Sequence, residues 1–260
     1  MRSKGVGGVR PRQASPRALA IAGGVVALVV VAIVLGIVLS GGNKASSANF
    51  PPVGNHDWPG ALNGSTEVNN LYKGIPQSGL ILGKPNAPAT LTEFIDLQCP
   101  VCQAFETQQM PSIVKKYVRT GELNIRMEPW DIRDIPGGPG DSARGQAATI
   151  AAAAQNKGFQ FAEILYVNQG TENTGWLNEN MVGTAASSVD GLKPQKVLDD
   201  LGSSQVKATV SEVDRTATAQ GFNSTPTLLL NHRGQKAHVV ARAYPDATQL
   251  DNQIQAAIAG

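Results

Sequence analysis

The sequence predicts an α/β domain with a helical insertion, preceded by one N-terminal transmembrane helix. Three observations predict it. Residues 18–39 form an uncharged apolar run of 22 residues, and about 20 suffice to cross a bilayer. A short apolar stretch, Ala89–Leu97, runs into Cys99-Pro100-Val101-Cys102 and then into a segment of helical spacing. Later, an alanine-rich helical block gives way to two short strand-like runs around a turn and a last helical segment. That alternation suits a sheet covered by helices.

Residues 1–17 form a basic tail in which Arg2, Lys4, Arg10, Arg12 and Arg17 stand without an acid. Positive flanks stay cytoplasmic, so the segment 18–39 reads as a single-pass signal anchor in the cell membrane, with the remainder extracytoplasmic. A cleaved secretory signal has a shorter apolar region of roughly 7–15 residues, and Ser46-Ser47-Ala48 is a poor cleavage site. Residues 40–66, rich in Gly, Asn, Ser and Pro, read as a flexible linker. The remaining 67–260 are long enough for one domain with a sizeable core. The net charge of +2 conceals an asymmetry: without those five basic residues and Lys44, 16 Lys and Arg face 20 Asp and Glu. An exported part near −4 argues against nucleic acid as a partner.

Ala89–Leu97 is short, apolar or β-branched, and bounded by Pro88, as a buried strand should be. Gln103–Val118 has helical spacing closed by Gly121, with a kink expected at Pro111. Glu122–Met127 is a second strand, and Pro136–Gly140 a loop. Asp141 is placed to cap an alanine-rich helix running to Asn156 and stopped by Gly158. Helices follow over Phe159–Asn168, near Gly175–Ser188, over Pro194–Leu201 and over Val206–Gln220. Thr227–Leu230 and Ala237–Val240 pair around a turn at Asn231–Gly234, and Asp246–Ile258 is a terminal helix. The order is that of a thioredoxin-like layout with a helical insertion at about 138–205.

Cys99 and Cys102 are the only cysteines in 260 residues. A vicinal pair at the start of a helix can cycle between dithiol and disulfide. Two plainer readings are weaker. A structural disulfide here closes a four-residue loop and is worth only about 2 kcal/mol, against roughly 4.7 for a 100-residue loop. A zinc site needs further ligands, and His56, His232 and His238 form no ligand-like pair with the cysteines; no metal site is expected.

Residues 79–130 and Ser224-Thr225-Pro226-Thr227 resemble the DsbA family of thiol–disulfide oxidoreductases. The similarity runs from about Gly79 to the C-terminus, strong at these motifs and weak in the insertion. It implies an extracytoplasmic protein-disulfide oxidoreductase that acts on exported cysteine-containing proteins. It also implies a membrane reoxidase of DsbB or vitamin-K-epoxide-reductase type. The cysteine pair carries the electrons, so no organic cofactor is expected.

Cys99 is the candidate nucleophile. An ordinary cysteine is only about 3% thiolate at pH 7. Pro100 suits the first helical position, where its missing N–H costs nothing. That puts Cys99 at the helix N-cap, facing unpaired N–H groups and the positive dipole end. Cys102, one turn on and deeper, resolves the mixed disulfide. Val101 stands where the best-known family members carry histidine and leaves open the strength and direction of electron flow. Glu93 shares a strand face with Leu91, Ile95 and Leu97 by the period-two rule. A carboxylate there is costly unless partnered, and the resemblance places at this position a buried acid that relays the resolving cysteine's proton. The alternative is a strand-edge glutamate reaching solvent. Asp96, on the other face, reads as structural. Thr225-Pro226 sits where the family has a cis-proline that frees backbone for substrate pairing.

The leading reading is a membrane-anchored, monomeric dithiol oxidase working through the Cys-Pro-Val-Cys pair. The alternatives are a disulfide reductase or isomerase, and a chaperone or binding module that keeps the fold without redox turnover.

Overall fold

In the computed structural model, which describes Trp58 and residues 61–260, helix α1 (Ser65–Tyr72) comes first and buries Val68 and Tyr72. It begins inside the stretch read as linker; at eight residues it is too short for its periodicity to stand out. The basic tail, the apolar segment 18–39 and nearly all of 40–60 lie outside the described residues, and no helix among those described is long and apolar enough to cross a membrane. Trp58 lies over the backbone of Gly183, where a Cβ would come within 2.3 Å of its ring.

Two short strands follow, β1 (Gln77–Ser78) and β2 (Ile81–Leu82), then the central strand β3 (Ala89–Ile95). Helix α2 (Pro100–Gln108) starts at the proline after Cys99. Pro111 has no N–H to donate, and α2 ends before it. The short helix α3 (Met110–Ile113) and a single π-helical turn, Val114–Val118, complete the rod in place of the one kinked helix expected. Strand β4 (Leu123–Pro129) returns parallel to β3.

The insertion comprises helices α4 (Asp141–Ala153), α5 (Gly158–Val167), α6 (Glu179–Ser187) and α7 (Pro194–Asp200). Asp141 is not the cap the sequence suggests. The preceding Gly140 takes positive φ, and the Asp134 carboxylate accepts from the Ser142 and Ala143 N–H groups at 2.9 and 3.0 Å. Asp141 instead accepts from the Gly175 and Leu177 N–H groups and fastens that loop. Helix α8 (Ser204–Ala219) leads back to β5 (Thr227–His232), β6 (His238–Ala241) and the terminal helix α9 (Ala247–Ala259), capped by Asp246.

The sheet order is β1-β2-β4-β3-β5-β6, with only β3 and β4 parallel. Its two faces have different cores. Leu91, Ile95 and Leu97 point into the larger core, with Phe105, Tyr166, Leu228 and Leu230. Phe94 points the other way, making edge-on contacts with Phe222 at 5.0 Å and Trp130 at 6.3 Å. Trp130 is thus a core residue. The period-two alternation of β3 decides which of its residues reach the cysteines' side of the sheet.

Candidate active site

The backbone turns out of β3 at Asp96 and enters α2 at Cys99, whose conformation is extended (φ −73°, ψ 119°). Both cysteines are free thiols. Cys102 is fully buried, and Cys99 is only 1% exposed, against the accessible sulfur that a position at a helix tip suggests. The Thr225-Pro226 peptide bond is cis, and the Thr225 carbonyl oxygen lies 3.5 Å from Cys99 Sγ, accepting from it when it is a thiol. The exposed neighbours are Pro100 and Val101, the latter 37% exposed.

The two thiols are driven apart. The Cys99 pKa is lowered to about 5, first by a hydrogen bond from Cys102. Burial opposes this, while the Thr225 side chain and the backbone N–H groups of Cys102 and Val101 assist. The helix N-terminus therefore contributes, but the other thiol is the main donor. Cys102 is pushed well up, by burial first and then by its bond to Cys99 and the negative charge there. The Thr225 hydroxyl, buried and with no oxygen or nitrogen partner among the described residues, lies beside both sulfurs and lowers both thiols.

The insertion grips the turn that carries the pair. Tyr166 Oη donates to the Asp96 carbonyl at 3.0 Å, and Gln169 Nε2 donates to the carbonyls of Leu97 and Cys99. Gln103 Nε2 donates back to the Tyr166 carbonyl at 2.8 Å. The buried Asp96 carboxylate accepts from the Gln98, Ile132 and Arg133 N–H groups and from Ser142 Oγ. Burial raises its pKa to about 6 while those four donors pull it down. None of Gln98, Ser142, Tyr166 and Gln169 is distinguishable from sequence; their side chains reach partners 36 to 75 residues away.

Glu93 is fully buried between Met127 of β4 and Leu228 of β5. Its carboxylate has no hydrogen-bond partner among the described residues apart from the Glu106 carboxyl, one helical turn beyond Cys102. Two carboxyls in contact must share a proton. Burial raises Glu93 to about 8, with the bond to Glu106 opposing the rise. Glu106 is pushed well up by burial and by the charge of Glu93. Its i,i+4 spacing from Cys102 was the available signal for Glu106. A third acid, Glu163 of α5, is 4% exposed and is likewise pushed well up by burial.

A thiol held as thiolate, a second thiol held protonated and a proton-sharing acid pair one turn away can exchange disulfides and move the accompanying proton. Comparisons with known proteins agree with that geometry. The thioredoxin family model matches residues 77–249. The disulfide bond formation protein D of Bacillus subtilis is 23% identical over 201 residues, covering 76% of this chain and 86% of that protein. Among solved structures, oxidised BdbD from Bacillus subtilis superposes with a TM-score of 0.59 at 21% identity, over 72% of this chain and 98% of its own. The Chlamydia trachomatis DsbA structure gives 0.56 at 17%, over 79% and 96%. The chain belongs to the thioredoxin family, with the helix-inserted fold of its DsbA-like members.

Proposed function

We propose that this protein-disulfide oxidoreductase works as a dithiol oxidase outside the cytoplasmic membrane, donating the Cys99–Cys102 disulfide to exported proteins. The observation that carries the reading is the division between the two thiols, Cys99 at about 5 and Cys102 well above its ordinary value. A substrate thiolate attacks Cys99 Sγ, and the Cys102 sulfur leaves with the electron pair and takes up a proton. A second substrate thiolate then attacks the substrate sulfur of the mixed disulfide and releases Cys99 as thiolate. A stable leaving thiolate favours the reduced enzyme and so makes the disulfide oxidising. Val101 contributes no charge to this balance; the Cys102 thiol, the Thr225 side chain and backbone donors supply it. The segment 18–39 would hold the domain at the membrane, near a reoxidase of DsbB or vitamin-K-epoxide-reductase type.

The reduction potential of the full-length protein tests this. A value above about −180 mV, together with mixed disulfides trapped by Cys102→Ser on a reduced, unfolded secreted protein, is expected for an oxidase. A potential below about −230 mV would place the protein among reductases.

A further inference from the structure

Most buried groups on the cysteines' side of the sheet are accounted for by packing or by the clamp on the active-site turn; Glu163 is not. It lies on α5, within the insertion, and its Oε2 is buried without a hydrogen-bond partner among the described residues. It also lines a groove of about 530 Å³ between α1, the rod from α2 to the π-helical turn, and α5. Val68, Leu71 and Val167 form apolar walls, and Thr107, the residue after Glu106, contributes from α2. A carboxyl in such a place is costly unless it stays protonated or performs a task.

We propose that Glu163 is the outer station of a proton path that links Cys102, through Glu106 and Glu93, to this groove. The inference rests on the thiol–disulfide reading and names where that chemistry's proton enters and leaves. Cys102 and Glu106 stand one turn apart on the buried face of α2. Glu106 shares its proton with Glu93, and Glu163, which feels the charge of Glu106, lies on the groove side of the series. When the Cys99–Cys102 bond is broken by an incoming thiolate, the sulfur of Cys102 leaves with the bonding pair and accepts one proton from the acid pair. One proton then enters from the groove by way of Glu163 and restores the pair. Reoxidation runs the same route outward, so each cycle returns every acid to its starting state.

The charged surroundings suit a relay more than an ion pair. Facing Glu163 are Glu67 and Tyr72 from α1, Glu106 from α2 with Glu93 behind it, and Lys115 and Arg119 at the groove. Arg119 is occupied, donating to the carbonyls of Leu71 and Lys73. Burial raises Glu163, Glu106 and Glu93 alike, which favours the protonated form of each.

The test follows reduction of the disulfide in the full-length protein by a peptide dithiol from pH 5 to 8, in H₂O and in D₂O. Glu163→Gln, which keeps the shape but carries no proton to pass, is expected to slow the reaction about fivefold or more and to enlarge the solvent isotope effect. The absorbance titration of the Cys99 thiolate should not move. Val167→Trp, which narrows the groove without changing any ionisable group, should slow it in the same sense. Wild-type rates and isotope effects in both variants would overturn the path. So would slowing by Glu163→Gln when the peptide dithiol instead cleaves a preformed mixed disulfide on Cys99 in a Cys102→Ser background, where no Cys102 proton has to travel. A wild-type protein unable to exchange disulfides would instead overturn the functional reading beneath it.

Discussion

At the residue scale, the costliest decision in this sequence is to bury Glu93. Its pKa of about 8 in the folded protein lies above that of the unfolded chain, near 4.5. Between those values the native state holds a proton that the unfolded state has lost, so stability falls as pH rises. The contribution is fully present below about 4.5 and is lost progressively up to about pH 8, at roughly 1.4 kcal/mol per pH unit for one group. Glu93→Gln, which cannot ionise, should flatten this slope. Urea unfolding at pH 5 and pH 7.5 checks it, and equal pH dependence in the two proteins would show that Glu93 titrates normally. The strand alternation made the residue conspicuous, because Leu91 and Ile95 flank it on the same face. Its partner was not conspicuous, because Glu106 has ordinary helical company and only the packing of α2 on β3 shows the contact. Likewise, the cysteines announced a redox pair, whereas the low exposure of Cys99 depends on a loop 126 residues away.

At the scale of elements, periodicity located most helices and strands to within a few residues, because amphipathic helices and apolar strands carry their own patterns. It failed where an element is very short, as in β1 and β2, or where a cap comes from outside the local sequence. Asp141 is a capping residue type just before an alanine-rich run and so resembled a cap, yet the donors of α4 go to Asp134, eight and nine residues away. That carboxylate also accepts from Gln98 Nε2 at 2.9 Å, beside the cysteines. Asp134→Ala should therefore destabilise the protein by about 1–2 kcal/mol, the usual loss for an N-cap acceptor, and by more than Asp134→Asn. Thermal unfolding of the two variants checks the order. Identical losses would mean that the charge, rather than the acceptor, matters there.

At the scale of the whole molecule, the orientation argument makes a direct prediction. Five basic residues precede the apolar segment and the acidic excess follows it, so protease added to intact cells freed of outer layers should digest the domain and spare the N-terminus. Full protection would reverse the topology, and release of an intact domain into the medium would mean that the segment is cleaved. Outside the membrane the protein would meet peroxide and other strong oxidants. A thiolate is the form they attack, and continued attack carries sulfur past sulfenic acid to states that do not return. Cys99 is thiolate at neutral pH yet 1% exposed beneath the cis-proline loop. Any sulfenic acid formed there has the Cys102 thiol as its nearest neighbour, and condensation of the two expels water and leaves the Cys99–Cys102 disulfide. Chance oxidation would thus end in the enzyme's own working state, so the same enclosure that sets the reactivity of Cys99 would also guard it from permanent damage.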